Sequence, residues 1–524
     1  MQNAKAIRQA PAVALAFAAL MTLAGCKVGP NYKRPAAIMP PTNTYKEAPP
    51  STYGESWAQA TPADAALKGD WWTLFSDPKL NELEPQVDTA NQTLKQAEAN
   101  FRAARSAIGY ARSFEAPTIG VSPLFGATRT SANQPYFTKT SANDGDGNFS
   151  LPVDLSWELD VWGRVRRGVT QARENAQASF ADLENARLSL HAELAMDYFR
   201  LRSDDAQLRL YTDTIQAYER ALDLTQARFE GGVSPQSDVT QAKTQLETAR
   251  VQRTDLLQDR ANAEHAIAVL MGKAPSSVSI AAQVITPPIQ NVVMTDNGTS
   301  QTPGTHVPSP TSNNPAAAIG PVLPAIPGVM PTVLLERRPD IAASERRMAA
   351  ANEAIGIAQA AYYPQFSISA MGGFTGTSML NWFTWPSRMF AVGPTFSQTI
   401  FDFGRRRSNK EMTEAQYDAA TANYRQTALT AFQQVEDNLA ALHTLETEAA
   451  QQREATAAAE RSLQLFNDRY EGGVDTYLQV ITWQTSALMN ERNDLIIQQR
   501  RLEASVLLIK ALGGGWNAST IPHL

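Results

Sequence analysis

Between residues 194 and 229 an apolar side chain returns every seventh position: Leu194, Leu201, Leu208, Ile215, Leu222 and Phe229. That period is the seam of a coiled coil. A thinner seam follows the same rule at Val435, Leu442, Leu463 and Tyr470, with Ala449 and Thr456 at the places between. The long helices that carry the seams are expected to begin just after a glycine, Gly163 or Gly404, and to stop at a glycine pair, Gly231-Gly232 or Gly472-Gly473. Glycine ends a helix cheaply because it reaches backbone angles other residues avoid. The stretch from residue 404 to 469, if helical, spans roughly 100 Å. Helices over 236–271 and 476–512 are expected to return antiparallel.

Ahead of each helical hairpin the period drops to two. Val153, Leu155, Trp157, Leu159 and Val161 alternate with Asp154, Ser156, Glu158 and Asp160. This predicts a strand with one apolar and one mostly acidic face. A weaker strand with Ile119, Val121 and Phe125 precedes it. The second half repeats the arrangement with Phe366, Ile368, Ala370 and Phe374, then a loop holding Trp382 and Trp385, then a strand from about Phe390 to Phe401. The expected strands are therefore about 117–126, 149–161, 365–374 and 390–401. A helix begins after Asp77-Pro78, with Leu80, Leu83, Val87 and Leu94, and runs to about Ser113.

The two halves are copies. Arg228-Phe229-Glu230-Gly231-Gly232-Val233 matches Arg469-Tyr470-Glu471-Gly472-Gly473-Val474 at an offset of 241, which also pairs Gly163-Arg164 with Gly404-Arg405 and Gly272 with Gly513. Upstream, Ile108-Gly109 and Pro117 match Ile355-Gly356 and Pro364 at an offset of 247. The six-residue difference falls between Pro117 and Gly163. Two copies of one long unit argue for a symmetrical object rather than a catalytic cleft.

Composition narrows the class. A net charge of −6 on 524 residues gives no reason to expect nucleic acid as a partner. The N-terminus has Lys5 and Arg8, an apolar run from Pro11 to Leu23, and then Leu23-Ala24-Gly25-Cys26. That looks like a bacterial lipoprotein cleavage box, and it predicts that residues 1–25 are a signal peptide and that Cys26 would carry lipid on its sulfur. Cys26 is the only cysteine, so no intrachain disulfide forms. Lys27 stands where an Asp would signal retention in the inner membrane. No later stretch is apolar for the ~18 residues a spanning helix requires, so any crossing must use strands.

The expected organisation is a lipid-anchored extended segment 26–75 and a first repeat 76–285 with its helical hairpin at 163–272. A Pro/Asn-rich linker 286–335, a second repeat 336–514 with its hairpin at 404–513, and a tail 515–524 complete the chain. Four strands cannot close a membrane barrel, and an open sheet edge in lipid costs several kcal/mol per unpaired group. The strands must close by oligomerisation, with eight from two chains or twelve from three. The helices would continue that barrel as a tube, and the acidic strand face would line its lumen.

Several motifs resemble one family. They are the start Cys26-Lys27-Val28-Gly29-Pro30-Asn31-Tyr32-Lys33-Arg34-Pro35, Trp71-Trp72 with Phe75 and Asp77-Pro78, Glu336-Arg337-Arg338-Pro339-Asp340, the two tip motifs, and Ala511-Leu512-Gly513-Gly514-Gly515-Trp516. Together they resemble the TolC/OprM-like outer-membrane factors, the NodT-type efflux lipoproteins of tripartite systems. The resemblance implies a mainly α fold with membrane β structure. It implies a homotrimer with a twelve-stranded barrel, a periplasmic α-barrel and an equatorial segment. It also implies a passive duct for small molecules that works with a periplasmic adaptor and an inner-membrane pump of the resistance-nodulation-division class. Type I protein secretion, metal-ion efflux, and a lipid-anchored periplasmic coiled-coil scaffold without a pore are the alternatives.

No catalytic or cofactor constellation is present. His191, His265, His306, His443 and His523 are scattered and each is read as a surface residue. The candidate site is the pair of tips: Arg228, Glu230, Gly231 and Gly232 on the first, Asp468, Arg469, Glu471, Gly472, Gly473 and Asp475 on the second. The glycines cap helices. The charges would gate the tube and meet the adaptor, although exposed pairs of this kind are usually worth about 0–1 kcal/mol. Trp382 and Trp385 have two readings, interface aromatics of the barrel or ordinary packing within their loop.

Overall fold

A computed structural model describes residues 27–36, 45–47, 69–129, 131, 133, 146–282, 323–324, 335–516, 518–522 and 524. Cys26, His306, His523 and most of the 286–335 linker lie outside the described residues. The elements, in order, are α1 (Pro78–Leu83), α2 (Pro85–Ala90), α3 (Gln92–Ser113), β1 (Thr118–Val121), β2 (Leu124–Thr128), β3 (Asp146–Leu159), α4 (Arg164–Glu230) and α5 (Gln236–Leu270). The second half adds α6 (Pro339–Ala360), β4 (Gln365–Gly376), β5 (Arg388–Ser397), α7 (Arg405–Glu471) and α8 (Tyr477–Ala511).

The repeat holds to the residue. Shifting α4 and α5 by 241 gives the bounds of α7 and α8, and shifting α3 by 247 gives those of α6. Contacts repeat as well. Asn91 donates its side-chain amide to the Leu270 carbonyl, and Arg338, its copy, donates to the Ala511 carbonyl, the copy of Leu270. A Cβ on Gly272 would come within 2.2 Å of the Ala90 carbonyl oxygen, and one on Gly513 within 2.1 Å of that of Arg337, the copy of Ala90.

At 67 residues each, α4 and α7 are about 100 Å long. The α4 seam is fully buried at Leu194 and Leu201, half-buried at Leu208, Ile215 and Leu222, and open at Phe229. The main apolar core therefore sits at mid-length, where Trp71, Trp72, Phe75, Leu80, Leu83, Val87 and Leu94 pack against both long helices.

The strands form one antiparallel sheet. β1 and β2 both pair with β3, so they are one strand interrupted at Ser122-Pro123, where a proline cannot donate to the ladder. β3 pairs with β4 from Phe149↔Gly376 to Leu159↔Phe366, and β4 pairs with β5. Among the described residues the sheet is four strands wide and both outer edges are open. Ile119, Val121, Phe125, Phe390, Val392 and Phe396 are exposed on its outer strands.

Four expectations need correction. The single helix expected from Asp77 to Ser113 is broken into three, because Pro85 starts α2 and Asn91, in extended conformation, starts α3. The last strand ends at Ser397 rather than Phe401; residues 398–403 are irregular and Phe403 has φ 52°. Trp382 is not an outward interface residue. It is buried in its loop, with ring centroids 4.4 Å from Phe383 and 5.3 Å from Phe125, while Trp385 is exposed beneath the Arg388 guanidinium. On the acidic strand face, Glu158 pairs with Arg164, and Asp160 accepts from the Val165 and Arg166 amides at 3.0 and 2.9 Å. These two carboxylates are engaged at the positive N-terminal end of α4 rather than standing unpaired on the strand face.

Candidate functional site

Both tips are Schellman caps. Gly232 has φ 72°, its amide donates to the Phe229 carbonyl, and the Val233 amide donates to Arg228 at 2.8 Å. Gly473 has φ 73°, its amide donates to Tyr470, and the Val474 amide donates to Arg469 at 2.9 Å. Only the second glycine of each pair needs the left-handed region; Gly231 and Gly472 have φ −77° and −73°. Space around a Cβ at Gly232 or Gly473 is open, so backbone conformation alone restricts these two positions.

The tip charges behave differently. Arg228 reaches across to the other hairpin: its guanidinium donates to the Tyr470 and Glu471 carbonyls at 3.3 Å each and lies 4.5 Å over the Tyr470 ring. Arg469 stays on its own turn, bonded to Asp475 at 2.5 Å. Glu230, Asp468 and Glu471 are exposed and make no ion pair among the described residues.

At the opposite end of α4 the chain's N-terminal segment is more than a tether. The Val28 amide donates to the Trp162 carbonyl and the Val28 carbonyl accepts from Arg167 at 2.7 Å. Asn352 donates to the Pro30 carbonyl, and Tyr32 and Arg34 reach Glu345. Arg167 is wholly buried and pairs with Glu353 at 2.8 Å, while Gly29 and Gly356 press so close that a Cβ on either would clash. Lys27 is thereby fixed where the sheet meets the helices, and Cys26 is its neighbour in the chain.

The core holds a polar cluster that the sequence reading missed. His191, expected at the surface, is buried on α4 between Trp72, stacked at 4.6 Å, and two carboxylates. Its Nδ1 is 2.7 Å from Glu84 and its Nε2 is 3.4 Å from Asp88. Burial alone would lower the imidazole pKa, but the hydrogen bonds with Asp88 and Glu84 outweigh it and raise it to about 9. Burial pushes Glu84 up to about 7, partly offset by His191. His191 shares the inward face of α4 with Leu194 and Tyr198, which was the one available signal. Nearby, Asp77 caps α1 through the Lys79 and Leu80 amides and accepts from the Tyr198 hydroxyl, giving the Asp77-Pro78 motif its role.

A family model described as outer membrane efflux protein matches residues 85–273 and 330–514, which are the two repeats. The chain belongs to the outer membrane efflux protein family. It is 31% identical over 515 residues to the toluene efflux pump outer membrane protein TtgF of Pseudomonas putida, covering 97% of this chain and 98% of that protein. Outer membrane protein OprJ of Pseudomonas aeruginosa is 30% identical over 505 residues, covering 95% and 94%. Among solved structures, the outer-membrane channel OprN superposes with a TM-score of 0.75 at 26% identity, over 94% of this chain and 100% of that one. A membrane protein from Pseudomonas aeruginosa gives 0.77 at 27% identity, over 93% and 100%. The fold is TolC-like, the family is one of efflux ducts rather than enzymes, and the chain is an outer-membrane component of an efflux system.

Proposed function

We propose that three copies of this chain close into the exit duct of a tripartite efflux pump, releasing small molecules passively from periplasm to exterior. The observation that carries this reading is the sheet: four antiparallel strands, open at both edges, with exposed apolar residues on the outer strands. Unpaired edges cannot face lipid, so the sheet closes only with copies of itself. Twelve strands from three chains match the family's trimer. The long helices then stand around the same axis as a periplasmic tube. The names of relatives, among them toluene and solvent efflux pump outer membrane proteins, support a small-molecule cargo.

The finer assignments follow from position. Cys26 carries lipid beside the membrane end of the tube, where Lys27 is held. The tips, at the far periplasmic end, gate the duct and receive the adaptor hairpins, and an inner-membrane pump of the resistance-nodulation-division class supplies the cargo. Purified protein should weigh three chains by native mass spectrometry and conduct ions in a planar bilayer. A stable monomer with its full β content, or a trimer that never conducts, would remove the duct.

A further inference from the structure

Within one chain the upper helices pack in sequence, α3 on α4, α4 on α6, and α6 on α7. Since α6 copies α3 and α7 copies α4, the outer faces of α3 and α7 are the two halves of a second α4–α6 seam, left open at opposite sides of the chain. The inner seam carries three ion pairs: Arg167 with Glu353, Glu174 with Arg346, and Asp182 with Arg347. Carried over by the repeat offsets, these become Ser408 with Ser106, Ala415 with Ala99, and Asn423 with Asn100. In every pair both charges are lost together, which keeps each contact electrically balanced. All six replacement residues are exposed in the single chain.

We infer that α7 of one chain packs on α3 of the next in the register that α4 keeps on α6. Ser408 then faces Ser106, and Ala415 faces Ala99, seven residues along in opposite directions on the two helices. This rests on the closed-ring reading above and specifies its interface. The two seams share a geometry and differ in chemistry: ion pairs within a chain, small neutral pairs between chains. A lone charge on either outer face would be left without its partner once the seam closes.

The tip obeys the same operation. The clasp of Arg228 on Tyr470 becomes Arg469 of one chain over Phe229 of the next, with the Phe229 and Glu230 carbonyls as acceptors. Tyr470, covered by Arg228, is 7% exposed, whereas Phe229 is 39% exposed and carries no cation among the described residues. Arg469 turns to Asp475 in the single chain because the ring it would cover belongs to a neighbour.

The test is cross-linking in the membrane with a short bis-maleimide. The pairs Ser106→Cys with Ser408→Cys, and Ala99→Cys with Ala415→Cys, should shift the band from one chain to two and three. Ala99→Cys with Ser408→Cys, displaced by two turns of helix or about 10 Å, should stay at one chain. The wild-type chain, whose only cysteine is Cys26, sets the background. Native mass spectrometry of each variant accompanies the gels. Intact trimers with no ladder from either matched pair, or an equal ladder from the mismatched pair, would overturn the register. A monomeric wild type would instead remove the closed ring itself.

Discussion

Nδ1 of His191 lies 2.7 Å from Oε2 of Glu84, and both side chains are buried at the mid-length core. Folding raises the affinity of both groups for protons. His191 moves from 6.5 to about 9, and Glu84 from 4.5 to about 7. The folded state therefore binds more protons than the unfolded chain. Stability from His191 is full below pH 6.5 and is lost as pH rises through about 9, and Glu84 adds to the same slope up to about 7. His191→Gln should flatten this decline, narrowing the wild-type advantage by on the order of 2 kcal/mol between roughly pH 6 and pH 10. Unfolding curves at a series of pH values check it, and parallel curves for the two proteins would show that the histidine does not titrate there.

Arg167 tests the N-terminal strap. Glu353→Gln strips the counter-charge from a buried guanidinium and leaves it only neutral acceptors, the Gln amide oxygen and the Val28 carbonyl, a loss of about 3 kcal/mol. Replacing both Arg167 and Glu353 with methionine should cost less than the sum of the single changes, because no charge is stranded. Gly356→Ala should resemble the single loss, since its Cβ would stand 2.3 Å from the Arg167 side chain. Limited proteolysis within residues 27–36 reports release of the strap.

At the tips, Gly232→Ala and Gly473→Ala meet open space and carry only the left-handed backbone penalty of about 1–2 kcal/mol. Trimers should persist, while β-branched residues such as valine, which resist the left-handed region most, should abolish efflux by distorting the turn. Arg228→Ala removes the cation from Tyr470, an interaction worth about 0.5–2 kcal/mol. It should raise single-channel conductance and antibiotic leak. Unchanged conductance and resistance in all these variants would leave the turns as helix caps alone.

Mass spectrometry of the mature N-terminus should find diacylglycerol on Cys26 and an added acyl chain on its amine. Cys26→Ser should lose the lipid and keep the trimer, because the sheet enters the membrane on its own. An unlipidated Cys26 in the native host would end the anchor assignment.

Periodicity made the long elements legible. The α4 seam from Leu194 to Phe229 and the glycine pairs located both helical hairpins within a residue or two, and the repeat located their copies. What stayed hidden depends on distant partners. His191 looks like a surface residue until Glu84, 107 positions away, is brought to it. Arg167 gives no local sign that it will be buried against Val28 and Glu353. Arg228 was legible as a tip residue, but its hold on Tyr470 crosses 242 positions. Pro85 and Pro123 were visible, yet the breaks they impose came out only with the backbone around them.

The two halves keep their helices to the residue and place all six extra positions between Pro117 and Gly163. One residue inserted into α4 or α7 would turn everything beyond it by about 100° and swing its inward side chains to a neighbouring face. A residue inserted into a loop between strands turns nothing. Lineages of this protein can therefore lengthen and reshape the connections between strands, while the helical span is held to a fixed count by its own winding.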